Sequence, residues 1–324
     1  MRVAILADLS EPVGADAQSD AAVFTYELAD ALGQASVEMN SFAVDLVARR
    51  GSWRGLPLLS IDPEEVPLED ATPEHVRYRQ EALYCQFILS GMLRDYDVIH
   101  CVAPLVTPVQ TLVLSGKPVC QTFLVVNTHA VPQMLSRLLS GSRLWTSCTP
   151  LPCYERSGKR YIPPSVDFKC YTLARDSKRS YVLCPAADHN VDTNAARTIA
   201  GILGKPLRTE LNPDPVAALR DAYVMLDLSM QPSPAGQLWA IRALASGVAV
   251  AAWETAGLGR LLENECAGAQ VPPGNCELLA RRIEALPQSA NALAMRREIV
   301  LLSFSRRPVV ASYVETYRTL LGFR

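Results

Sequence analysis

Short apolar runs recur along the chain between longer stretches whose apolar residues return every three to four positions. That is the pattern of a parallel sheet with helices on both faces. In the first half the spacing predicts strands at 2–8, 37–45, 97–102, 119–125 and 143–148. Between the first two, Phe24, Leu28, Ala31 and Leu32 share one face of a helix that Gly33 is expected to stop. Pro57, Pro63, Pro67 and Pro73 disfavour long regular structure between them, and helical period returns from Pro73 to Arg94. A polar stretch, Ala174-Arg175-Asp176-Ser177-Lys178-Arg179-Ser180, precedes a second strand-helix series that opens at Tyr181-Val182-Leu183-Cys184-Pro185. Further strands are expected at 206–211, 223–229 and 248–253, and a final helix from Pro308 to Leu321. The expected organisation is a first domain over 1–173, a second over 174–306, and a closing helix within 307–324.

Length supports that division, because 324 residues exceed one ordinary hydrophobic core and suit two domains of roughly 150 residues. At 49% hydrophobic and 20% charged the composition is that of a folded chain. A net charge of -2 offers no general attraction to phosphate backbones or anionic lipid, so nucleic acid is not an expected partner. Asp8 follows only a handful of apolar residues, too few for a signal peptide or a spanning helix. The expectation is a cytoplasmic protein without an integral membrane segment. Nine cysteines lie scattered without a C-x-x-C pair, several in apolar runs such as Val119-Cys120 and Leu183-Cys184, which reads as small buried hydrophobes rather than metal ligands or disulfides.

Several segments carry a more specific signal. Ala243-Leu244-Ala245-Ser246-Gly247-Val248-Ala249-Val250-Ala251-Ala252 is followed by Gly257-Leu258, Leu261-Leu262-Glu263-Asn264 and Val271-Pro272-Pro273-Gly274-Asn275. In order and separation these resemble glycosyltransferase family 4, whose members read approximately E-A-M-A-S-G-x-P-V-V-A, G-G-x-x-E-x-V and V-P-P-G-D. Asp97-Val98-Ile99-His100, Gly116-Lys117-Pro118-Val119 and Ile162-Pro163-Pro164-Ser165-Val166-Asp167 are similar to further family motifs. So is the ending, where Phe304-Ser305 leads into a helix with Tyr313 and Tyr317. The resemblance implies a GT-B α/β fold, two Rossmann-like doubly wound parallel-sheet domains facing a central cleft. The second domain would hold a nucleotide sugar, the first would take a glycan or protein acceptor, and no metal or other cofactor would be required.

The family's charged residues are replaced. Its Glu-x7-Glu pair falls on Pro234 and Arg242, and the whole run from Leu228 to Trp253 contains no Asp or Glu. Its diphosphate-neutralising Arg and Lys fall on Ala187 and Asp192, where an acid would repel the leaving group. Its strand-end His falls on Leu124, with His129 five residues on. The glycine-rich loop after the first strand survives as Pro12-Val13-Gly14-Ala15-Asp16, where Gly14 is the one candidate for a phosphate contact.

The catalytic candidates are therefore His100, His129 and Glu254: His100 reads equally as a structural strand-end histidine, Glu254 as a solvated loop acid, and His129 would have to be brought in by a reshaped loop. For the nucleotide sugar the candidates are Gly14 and, at the start of one helix, Ser233, Gly236, Gln237, Leu238 and Arg242. Backbone N–H groups of Ser233-Pro234-Ala235-Gly236-Gln237 suit a phosphate, and equally suit plain helix capping. Arg242 suits an anionic ligand or a neighbouring carboxylate. Two functions stand: a retaining hexosyltransferase using a nucleotide-sugar donor, or a non-catalytic relative binding a partner glycosyltransferase, a glycan or a protein in a glycosylation or envelope pathway.

Overall fold

The computed structural model of the chain describes residues 1–14, 17, 19–61, 73–102, 107–123, 144–147, 160–173, 179–185, 191–209 and 215–322. The chain forms two compact units, one built from residues up to Ile162 together with Val310 onward, the other from Pro163–Val309. In sequence the units meet at Ile162 and Pro163, eleven residues ahead of the expected linker at Ala174.

The first unit contains β1 (Arg2–Leu6), α1 (Asp20–Met39), β2 (Ala43–Arg49), β3 (Leu58–Ile61), α2 (Pro73–Leu89), β4 (Val98–Cys101), α3 (Thr107–Leu114), β5 (Val119–Phe123), β6 (Leu144–Ser147) and β7 (Arg160–Tyr161). Its strands form one parallel sheet in the order β3-β2-β1-β4-β5-β6-β7. The apolar runs are continuous because both faces are covered: Val3 to Leu6 are all fully buried. One face packs Leu6, Ile99 and Val119 against Tyr84 of α2 and Val109 and Leu112 of α3.

Two expectations change here. Gly33 does not stop α1, which runs six residues further to Met39 and ends at Asn40, in the left-handed region at φ 48° with its N–H on the Ser36 carbonyl. A side chain at Gly33 would meet Leu56 Cδ2 at 2.6 Å, so the glycine serves close packing inside the helix. The strand expected at 37–45 accordingly begins only at Ala43, and Val37 is an exposed helical residue.

The second unit contains β8 (Tyr181–Leu183), α4 (Thr193–Ile202), β9 (Leu207–Arg208), α5 (Pro215–Arg220), β10 (Ala222–Asp227), α6 (Pro234–Ala245), β11 (Ala249–Trp253), β12 (Gly268–Val271), α7 (Cys276–Ala285) and α8 (Ala290–Phe304). Its sheet is parallel, in the order β12-β11-β10-β8-β9. Val224, Leu226, Ala249 and Ala251 pack against Ile199 of α4 and Leu279 and Ile283 of α7. On α8, Arg296 is fully enclosed and its guanidinium donates to the carbonyls of Cys266 at 2.7 Å, Gly247 at 3.1 Å and Pro287. Burial, together with the like charge of Arg179, lowers its pKa to about 10. A closing helix, α9 (Arg306–Leu320), belongs to the first unit from Val310 onward.

Among the described residues Cys101, Cys120 and Cys184 are buried, Cys85, Cys266 and Cys276 are half-buried, and Cys170 is exposed; all are free thiols. No helix among them is long and apolar enough to cross a membrane.

Candidate functional site

In the second sheet the first strand of the series, β8, is flanked by β9 on one side and β10 on the other. Chain direction reverses its progress across the sheet there, which leaves a crevice beyond the carboxyl ends of β8 and β10. A recess lies at that point, lined by Pro185 and Val191 after β8, Asp227 and Ser229 at the end of β10, and Ser233, Gly236 and Trp239 of α6.

Local sequence builds the recess step by step. Val191 pairs with Ser229 in an antiparallel bridge, and the Asp192 N–H donates to the Leu228 carbonyl at 3.2 Å, tying the start of α4 to the segment after β10. Thr255 Oγ1 donates to the Ser229 carbonyl at 2.8 Å, holding the same turn from the far side. Ser233 then caps α6: its backbone is extended and its Oγ accepts from the Gly236 N–H at 2.9 Å. Proline at the first helical position has no N–H to satisfy, so the Ala235 N–H is the donor that the geometry of a helix start leaves without an acceptor inside the helix.

Asp227 ends β10 beneath this first turn. Its Oδ1 accepts from the Ser229 Oγ at 2.6 Å and the Ser229 N–H at 3.2 Å. Its Oδ2 is buried and has no hydrogen-bond partner among the described residues. The residue is 4% exposed, and burial raises its carboxyl pKa against the opposing pull of the Ser229 hydrogen bonds. Gly236 permits the approach: a Cβ there would lie 2.5 Å from Asp227 Oδ2. Substituting Gly236 to probe a phosphate loop would therefore first disturb this carboxylate.

Of the helix candidates, Ser233 and Gly236 line the recess, whereas Gln237 and Leu238 are buried in the helix body. Arg242 is 9% exposed, with its guanidinium 4.6 Å from the Trp239 ring centroid and 5.6 Å from that of Tyr171. At that spacing its charge is met by aromatic faces. Asp192 caps α4, its carboxylate accepting from the Ala195 N–H at 2.9 Å. Glu254 is exposed and opens a short 3-10 turn after β11.

His100 is fully enclosed in the first unit, Nδ1 within 2.7 Å of the Tyr317 hydroxyl and Nε2 within 2.7 Å of Thr122 Oγ1. Burial lowers its pKa to about 3, and its two ring nitrogens join α9 to β5. Gly14 lies in the first unit after β1, its carbonyl accepting from the Ala17 N–H at 3.3 Å. His129, Leu124, Ala187, Ala15 and Asp16 lie outside the described residues. Among the described residues no three His, Cys, Asp or Glu side chains converge as a metal site.

No protein-family model matches the sequence, and comparison with curated proteins finds no significant match. Solved structures do match, over the whole chain. Sucrose-phosphate synthase from Thermosynechococcus elongatus superposes with a TM-score of 0.74 at 17% identity, covering 100% of both chains. A glycosyltransferase from Rickettsia africae gives 0.69 at 12% identity, covering 99% of this chain and 98% of that one. Anabaena HepE, solved in complex with UDP-glucose, gives 0.69 at 14% identity, covering 98% and 100%. Likeness at these identities establishes architecture: two parallel-sheet units with flanking helices, in the arrangement of strands found in GT-B glycosyltransferases, so the chain has the GT-B fold.

Proposed function

We propose that this protein is a glycosyltransferase-like protein that binds a nucleotide sugar in its second unit, at the recess beneath the start of α6. The observation that carries this reading is the position of the recess, at the strand-order switch of a parallel sheet and against a helix N-terminus whose Ala235 N–H points out of the helix. The GT-B neighbours support it, since HepE was solved with UDP and with UDP-glucose.

The family-4 resemblance extends the proposal to retaining hexosyl transfer onto a glycan or protein acceptor, without a metal. Titration calorimetry with UDP, GDP and ADP and their sugar conjugates tests the binding step. A functional donor should bind at micromolar strength, about -8 kcal/mol. Absence of heat from all of them overturns the reading. Transfer itself is read from the anomeric configuration of the product by NMR.

One observation favours a second reading, a non-catalytic subunit that retains the fold. Where the family carries a ribose-binding Glu, Arg242 is packed between Trp239 and Tyr171, and where it carries a phosphate-binding Lys, Asp192 caps a helix. Donor binding without turnover, together with co-purification of a complete glycosyltransferase, would select this reading.

A further inference from the structure

The run from Leu228 to Trp253 holds no acid, yet a carboxylate is present at the recess, delivered from one residue earlier by the end of β10. Three features of Asp227 bear on its use. Ser229 clamps Oδ1 through two hydrogen bonds, which fixes the carboxylate plane. Oδ2 is left with no partner among the described residues, although the side chain is more than nine-tenths buried and lines the recess. Gly236 lets the first turn of α6 lie in contact with Oδ2, where a Cβ would fall 2.5 Å from it.

A buried acceptor without a donor costs roughly 1–3 kcal/mol, more when charged, so it is tolerated where something else supplies the donor. Packing alone would be better served by an apolar residue of similar size at the end of an otherwise apolar strand, Ala222-Tyr223-Val224-Met225-Leu226. Nearby, the Ala235 N–H of the helix start offers a donor. Asp227 and Ala235 both line the recess, which thus presents one strong acceptor and one donor. A diphosphate, which only accepts, matches the donor and is repelled by the acceptor. A ring hydroxyl, which can donate to the carboxylate, matches the acceptor.

We propose that Asp227 is a sugar-recognising residue of this site: its Oδ2 accepts a hydrogen bond from a ring hydroxyl of the bound nucleotide sugar, with the carboxylate oriented by Ser229. The inference rests on the nucleotide-sugar reading above and assigns to it a carboxylate other than those of the Glu-x7-Glu pattern. The donating hydroxyl belongs either to the ribose or to the transferred hexose.

Calorimetry with UDP-glucose, ADP-glucose and GDP-mannose, each beside its free nucleoside diphosphate, tests it on the wild type and on Asp227→Asn. Loss of about tenfold or more in affinity for the sugar nucleotide alone supports a hexose hydroxyl, and the same loss for both ligands supports a ribose hydroxyl. Unchanged affinities, or tighter binding of the diphosphates by the variant, overturn the proposal while leaving nucleotide-sugar binding intact. If the wild type binds none of the six ligands, the underlying reading fails, and this one with it. Should Asp227→Asn not fold, Ser229→Ala reads the same contact: freeing Oδ1 should weaken the same ligands several-fold, and wild-type affinity for them overturns the assignment.

Discussion

His100 and Tyr317 stand 217 residues apart and meet at 2.7 Å, imidazole Nδ1 against phenol oxygen, inside the first unit. Strand β4 supplies the histidine and the closing helix α9 the tyrosine, while Tyr313 stacks on the same imidazole at 5.3 Å. Hydrogen bonds at both nitrogens make this a satisfied polar contact in an apolar setting, one that fixes the register of α9 on the sheet.

Tyr317→Phe should therefore destabilise the protein by about 1–3 kcal/mol, because it strands a buried ring nitrogen without removing packing volume. Thermal unfolding would register this as a drop of several degrees. The pH dependence has a definite sign. With the folded-state pKa lowered to about 3 against 6.5 for a free imidazole, the unfolded chain binds the extra proton between those values. Stability from this residue is complete above pH 6.5 and is lost progressively as pH falls toward 3. The limiting slope is roughly 1.4 kcal/mol per pH unit. In His100→Leu the acid-side slope of unfolding free energy should be shallower by up to one proton.

Two glycines of the second unit should respond oppositely to alanine. At Gly268 in β12 a Cβ would fall 1.7 Å from the Val250 carbonyl oxygen, a backbone atom of the paired strand that cannot move aside. Gly268→Ala should cost at least about 3 kcal/mol and abolish soluble expression or lower the melting temperature sharply. Gly201 in α4 has nothing within 4 Å of its Cβ position. Gly201→Ala should stabilise by roughly 0.5–1 kcal/mol through the restricted unfolded chain. Denaturant midpoints of the two variants measure both effects.

Arg296 gives a further test of buried polar architecture. Its guanidinium fork reaches three backbone carbonyls on separate segments, a geometry that a lysine ammonium on a flexible stem cannot reproduce. Arg296→Lys should lose about 2–4 kcal/mol by leaving carbonyls unsatisfied in the interior. Chemical denaturation with an unchanged m-value would assign the loss to the native state.

Much of this architecture was legible in the apolar runs. Val98–Cys101, Val119–Phe123 and Ala249–Trp253 are strands where short, mainly apolar runs predict them, because both faces of each parallel sheet are covered. Gly33 misleads for a physical reason. Glycine marks a helix stop when it is needed at positive φ, but here it is needed for the contact with Leu56, and Asn40 takes the left-handed position instead. Ser233 and Gly236 were readable as a helix start, since capping is local. Asp227 was not, because it stands one residue ahead of the stretch from Leu228 in which the family pattern places its acids. An acid ending an apolar strand just before a serine-capped helix was the available signal. Arg242 shows the limit of reading by position, since aromatic rings from Trp239 and Tyr171 meet its charge and only one of them is local in sequence.

The Asp227 and Gly236 contact can be measured through stability alone, independently of any ligand. Gly236→Ala places a methyl group 2.5 Å from Oδ2 and 3.3 Å from Ser233 Oγ, so it should destabilise by about 1–3 kcal/mol through overpacking against a carboxylate that two Ser229 hydrogen bonds hold in place. Asp227→Ala removes both the carboxylate and the obstacle, and its own cost reflects the lost Ser229 bonds offset by relief of an unpartnered buried oxygen. In the double variant the alanine at 236 faces the vacated space and adds a favourable helix residue. The cycle should therefore show coupling of about 1–3 kcal/mol, with Gly236→Ala near neutral or stabilising in the Asp227→Ala background. Additive effects would mean that the glycine is required for some reason other than the carboxylate beneath it.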